Sequence, residues 1–132
     1  MNYAEKSSEE LVHLLYTEDK TSRNAATKEL GKRGKEGFAL AVPLLADASW
    51  IIRYRACEIL GLTRQMEALP IFLKILVDPC DHVRYMAVKG LGILGDFHAL
   101  PALNHMLDDE NPFVRRIARK VVTDLSQIQQ NR

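Results

Sequence analysis

The sequence is short of most features that would announce a chemistry. It carries two cysteines in 132 residues, Cys57 and Cys80, too few for a disulfide framework or a four-thiolate zinc site. It has no run of about 18 apolar residues, which excludes a helix able to span a bilayer. Excess charge of one sign is missing too. Eighteen basic against seventeen acidic residues leave +1, so attraction to a nucleic acid or an anionic membrane has to come from a local patch. The opening residues, MNYAEKSSEE, lack the charged start, apolar stretch and small-residue cleavage site of a secretory signal. With reduced cysteines, this sets the expectation of a cytoplasmic protein. No segment alternates apolar and polar residues with a period of two, and no short turn signal marks a hairpin. What remains is a chain 47% apolar and 27% charged, a composition that folds.

What the sequence has is a repeat. Asp47, Asp78 and Asp109 are spaced by 31 residues, as are Arg53, Arg84 and Arg115, and Ala56, Ala87 and Ala118. Leu60, Leu91 and Val122 follow, with Gly61 and Gly92 directly behind, and the tripeptide Ala-Leu-Pro at 68–70 returns at 99–101. A weaker copy stands upstream at an offset of 30: Arg23, Ala26, Leu30 and Gly31, with Thr17 where the aspartate would fall. A fixed period of 20–50 residues is the signature of a repeat architecture.

Inside each copy the period is helical. Ile52, Ala56, Ile59 and Leu60 share one helix face, as do Leu69, Phe72, Leu73 and Leu76 on the shorter first helix of the next copy. Ser7 with Glu10 reads as a capping box, Asn111–Pro112 as cap and first-turn proline, and Gly34 as a helix end with positive φ. Pro43 falls where the other copies place mid-helix residues, so the third helix is expected to be short, kinked or late. The spacing predicts eight helices, at 8–17, 21–33, 37–46, 49–62, 66–77, 80–94, 97–108 and 111–127. One helix pair cannot bury its apolar stripe alone, whereas stacked pairs can. The expected fold is therefore an all-α superhelix, or solenoid, of about four helix pairs. It forms a single domain over 1–132, with repeats near 8–34, 35–64, 65–95 and 96–127 and a tail at 128–132.

The run Asp-x5-Arg-x2-Ala-x3-Leu-Gly, complete at 47–61 and 78–92, resembles HEAT-like repeats of the phycobilin-lyase type. The copy at 109–122 departs only at Val122 and Thr123. The resemblance covers about 20–127 and implies the solenoid. It leaves function open, since such repeats occur in scaffolds, chromophore-lyase subunits, hydroxylases and nucleic-acid-binding proteins. It also implies that the second helix of each pair lines a concave surface.

The aspartate and arginine columns read as structural. Stacking sets the arginine of one copy near the aspartate of the next, and a guanidinium suits that bidentate pairing. Asp47, Arg53, Asp78, Arg84, Asp109 and Arg115 are thus expected to form a ladder between repeats. Cys80, Asp81 and His82 are consecutive, about 100° apart on a helix, and cannot converge on one metal ion. His98 and His105 are too far apart along the axis to chelate together. The resemblance extends to di-iron hydroxylases, which carry His-Glu pairs; here His13, His82, His98 and His105 are followed by Leu, Val, Ala and Met, so that reading is set aside. Cys57 lies beside Arg53, which could lower a thiol pKa, but it reads as a small packing residue. No phosphate-binding glycine loop is present. The expectation is a protein with no catalytic residue, no metal and no cofactor.

The remaining signal is the outward side of the second helices. Opposite Ala56 stand Trp50, Ile51, Tyr54, Cys57 and Glu58; a further 31 residues give Asp81, His82, Tyr85, Val88 and Lys89, 31 more give Pro112, Phe113, Arg116, Arg119 and Lys120, and in the first copy the offset of 30 gives Lys20, Asn24, Thr27 and Lys28. This predicts a groove with an aromatic centre (Trp50, Tyr54, Tyr85) flanked by cations (Lys28, Lys89, Arg116, Arg119, Lys120). Such a surface suits an acidic or amphipathic protein segment. The leading expectation is a non-enzymatic protein-interaction or scaffold module, monomeric with a homodimer as the alternative. Nucleic-acid binding through Arg116, Arg119 and Lys120 is the second reading, disfavoured by the net charge and the acidic rim of Asp47, Asp78, Asp108, Asp109 and Glu110. The third, implied by the resemblance alone, is an accessory subunit of bilin-lyase type; subunits of that kind are generally longer.

Overall fold

The computed structural model describes residues 2–132. Among them are eight α-helices and no strand: α1 (Ser8–Leu14), α2 (Lys20–Lys32), α3 (Gly34–Ala41), α4 (Trp50–Thr63), α5 (Ala68–Ile75), α6 (Asp81–Leu94), α7 (Leu100–Met106) and α8 (Pro112–Gln130). Helix starts follow local chemistry. Ser7 Oγ accepts the Glu10 N–H while the Glu10 carboxylate accepts the Ser7 N–H, closing a capping box at α1. Asp19 Oδ1 caps α2 through the Thr21 N–H, and Asn111 Oδ1 caps α8 through Phe113 and Val114, with Pro112 in the first turn. Pro43 acts as its missing N–H requires. The α-helix stops at Ala41 and the chain continues as a 3-10 turn over Val42–Ala46, so the helix expected to reach residue 46 is shorter.

The chain divides into two compact units, one ending at Gln65 and one starting at Met66. In the first, α2 packs against α1, α3 and α4, and α3 against α4. Its core is Leu11, Leu15, Ala26, Leu30, Ile52, Ala56, Ile59 and Leu60, all buried. In the second, α6 packs on α5 and α8, and α7 on α8, around Phe72, Val83, Leu91, Leu103, Val114 and Leu125. Each of the leucine, isoleucine, valine and phenylalanine side chains contributes about 1.5–3 kcal/mol by leaving water. The repeated alanines Ala26, Ala56, Ala87 and Ala118 are fully buried. At Gly90 the approach is closer still: a Cβ there would lie 2.4 Å from the Phe72 ring.

Two expectations from the helical wheel are corrected. Thr27, Cys57 and Val88 are fully buried, not outward. α4 is covered by both α2 and α3, and α6 by both α5 and α8, so the side facing water is narrower than half the circumference. The tail expected from residue 128 is partly helical, since α8 runs on to Gln130.

Candidate binding face

The aspartate column sets the loop before each second helix. Asp47 Oδ1 accepts the Ser49 N–H at 2.8 Å, Asp78 Oδ1 that of Cys80 at 2.8 Å, and Asp109 Oδ2 that of Asn111 at 2.9 Å. Each aspartate thereby closes an Asx turn onto the residue that precedes its helix. The arginine six residues on reaches back to the backbone of the same loop: Arg53 to the Asp47 carbonyl (2.9 Å), Arg84 to that of Asp78 (2.9 Å) and Arg115 to that of Asp109 (2.7 Å). Arg23 does the same with Thr17 at 2.8 Å. Within the second unit Arg84 also grips the next copy, Nε to Asp109 Oδ1 at 2.9 Å and Nη2 to Oδ2 at 3.2 Å. That fork holds the Arg84 guanidinium above its already high ordinary pKa against the cost of burial. Arg53 and Asp78 fall in different units.

In the first unit the matching rung is built differently. Asp47 Oδ2 accepts the Tyr16 hydroxyl at 2.8 Å, and the buried Arg23 Nε has no hydrogen-bond partner among the described residues. The Ser49 N–H and then the Tyr16 hydroxyl hold the Asp47 carboxyl below its ordinary range, while the same bond pushes the Tyr16 phenol up.

The predicted binding residues divide between the units. Trp50 opens α4, 41% exposed, edge-on to Tyr54 with ring centres 6.4 Å apart. Tyr54 is half-buried, with the Arg55 guanidinium 5.5 Å from its ring centre. In the second unit, Tyr85 on α6 meets Arg116 and Lys120 on α8 around a hollow of about 220 Å³, whose lining Phe113 and Ile117 complete. Phe113 is 62% exposed and carries the Arg116 guanidinium 5.6 Å from its ring centre. Lys120 Nζ pairs with Asp124 at 2.9 Å. Lys89 and Arg119 are exposed and lie outside the lining.

Three features were not singled out from sequence. Phe113 stands on the outward side by the 31-residue spacing yet was not placed among the binding residues. Ile117 was placed nowhere. Arg55 is buried, paired with Glu58 at 2.9 Å, and its Nε has no hydrogen-bond partner among the described residues. The signal for Arg55 was available, because its column is otherwise Ala25, Met86 and Ile117.

A second hollow of about 480 Å³ lies between α7 and α8, lined in part by Phe97, His98, Pro101, Val122 and Ser126. His98 Nδ1 contacts Asp96 at 2.7 Å, and the His98 N–H and ring hold that carboxyl below its ordinary range. No hydrogen bond joins His98 to Ser126 among the described residues. No group of three or more His, Cys, Asp or Glu side chains there could hold a metal ion. No helix of the described residues is long and apolar enough to cross a membrane.

The family of HEAT repeats matches residues 38–122, more than half of the sequence. The chain belongs to the HEAT-repeat family. No curated protein matches it. Among solved structures, human deoxyhypusine hydroxylase in complex with glycerol is similar to this HEAT protein with a TM-score of 0.75 and 22% identity, over 97% of this chain and 46% of that one. The complex of CpcE and CpcF of phycocyanin lyase from Nostoc sp. PCC7120 gives 0.70 and 20%, over 95% and 56%. An engineered protein gives 0.62 and 19%, over 96% and 63%. This HEAT chain thus spans about half to under two thirds of the structures it resembles. At such identities the likeness shows the fold, the all-α solenoid class built of HEAT helix pairs, which serves in general as a protein-interaction scaffold.

Proposed function

We propose that this HEAT-repeat protein is a non-enzymatic interaction module that holds an acidic or amphipathic segment of a protein partner on the α6–α8 face. The observation that carries the reading is the hollow where Tyr85, Phe113 and Ile117 offer apolar surface and Arg116 and Lys120 offer positive charge. Exposed aromatic and arginine side chains in one depression are what interface hot spots are made of. Nucleic-acid binding through Arg116, Arg119 and Lys120 is less well supported. Arg116, Arg119 and Lys120 lie within about one turn of α8, with Asp124 beside Lys120, too short a track of cations to follow a phosphate backbone. We take the binding unit to be the monomer, acting in the cytoplasm.

The test is a nuclease-treated pull-down with wild type and an Arg116→Glu/Lys120→Glu variant, both checked by circular dichroism. Partners retained by wild type and lost from the variant are expected. An identical set from both would overturn the reading.

A further inference from the structure

The hollow on the α6–α8 face is small and chemically divided. Its floor and walls are the rings of Tyr85 and Phe113 and the branched side chain of Ile117. Its cations, Arg116 and Lys120, stand about one helical turn apart on α8, with exposed Arg119 outside the lining on the other side of Arg116. Arg116 lies over the Phe113 ring and Lys120 forms an exposed ion pair with Asp124; Arg119 has no hydrogen-bond or ion-pair partner among the described residues. Nor does the Tyr85 hydroxyl, although Tyr85 is only half exposed. About 220 Å³ is room for one ring, given that a dry cavity of about 150 Å³ takes benzene.

Resting on the proposal that this face binds a protein segment, we infer that the hollow receives a single aromatic side chain of the partner, with carboxylates beside it in sequence. The ring packs between Tyr85 and Phe113 in the offset or edge-on geometry that aromatic groups favour. The flanking carboxylates meet Arg119 and Arg116, the second in a bidentate fork with its guanidinium already oriented by the Phe113 face. A neutral apolar segment would fill the floor but leave the cations unanswered. A polyacidic segment without a ring would leave the apolar floor wet. A nucleobase would also fit the volume, but the adjoining phosphates need a track of cations, and Asp124 interrupts it.

The probe is a short fluorescein-labelled peptide with one phenylalanine at its centre among aspartates and glutamates, followed by fluorescence anisotropy against the full chain. Replacing that phenylalanine with alanine is expected to weaken binding at least about tenfold, the worth of burying one ring. Replacing the acids with their amides, or raising salt from about 50 to about 500 mM, is expected to weaken it several-fold. Phe113→Ser and Arg116→Glu, both at exposed positions and checked for an unchanged melting point, are expected to abolish the preference for the phenylalanine peptide. If the alanine peptide binds as well as the phenylalanine peptide, the ring pocket is wrong while an acidic partner on this face still stands. If neither peptide binds, or a poly-thymidine oligonucleotide binds more tightly than both, the inference falls outright. The pull-down then decides the broader reading on its own.

Discussion

Arg84 divides its guanidinium among a loop carbonyl of its own repeat and both carboxylate oxygens of Asp109 in the next. Both side chains are 9% exposed, so the pair is shielded from water and salt, and removing one partner leaves a buried charge. Asp109 also accepts the Asn111 N–H that starts the turn into α8. Arg115 has a smaller task, one bond to the Asp109 carbonyl. Asp109→Ala is therefore expected to cost about 2–4 kcal/mol, and Arg115→Ala about 1 kcal/mol, both read from urea unfolding midpoints. Equal losses would show that the carboxylate adds nothing beyond the loop geometry. The first copy explains why the repeat survives without its aspartate. Arg23 still bonds the Thr17 carbonyl, a backbone group that any residue supplies, and Tyr16 fills the vacant half of the Asp47 rung.

At the scale of the element, the second helices end alike. Gly34, Arg64 and Gly95 occupy one column of the repeat, and all three have positive φ, 55°, 55° and 70°. Two are glycine, which adopts that conformation freely. Arg64 caps α4 in the same left-handed region with a Cβ that opposes it, and it is exposed. Arg64→Gly is expected to stabilise the protein by about 1 kcal/mol, and Gly95→Ala to destabilise it by about the same, measured as opposite shifts of the thermal midpoint. A loss in Arg64→Gly would mean that its side chain holds the helix end by contacts that outweigh the strain. The fourth position of the column is Ser126. Its backbone stays helical, and α8 runs on to Gln130. Helix positions were legible in the sequence because core residues recur every 31 residues and caps are local chemistry. The shortening of α3 was signalled by Pro43, though not its exact end; the run of α8 on to Gln130 was not, because it depends on Ser126 breaking its column. The candidate face was half legible. Tyr85 and Arg116 continue the Tyr54 column, but the burial of Cys57 and Val88 depends on helices packing from two directions, which one wheel cannot show.

For the whole molecule, local caps and one long-range bond set the response to pH. Glu10, Asp19, Asp47 and Asp96 are all held below their ordinary pKa by N–H or hydroxyl donors that face them in the folded state. A carboxyl with a depressed folded pKa contributes stability above its unfolded value, about 4, and loses it as pH falls through the folded one. Tyr16 runs the other way. Its pKa is raised, chiefly because its hydroxyl donates to Asp47, so its contribution is complete below about 10 and vanishes as pH climbs through the raised value. Tyr16 and Asp47 stand 31 residues apart, and their bond ties the end of α1 to the loop before α4. Replacing Tyr16 with phenylalanine removes that tie while keeping the ring. Wild type is expected to exceed Tyr16→Phe in unfolding free energy by a constant margin from about pH 5 to about pH 9. Below pH 4 the margin shrinks as Asp47 takes up a proton, and above pH 10 it closes as the phenol loses one. Urea titrations across that range read the margin directly. A margin that persisted unchanged to pH 12, or was missing at pH 7, would show that the two units of charge chemistry are not coupled through this hydroxyl.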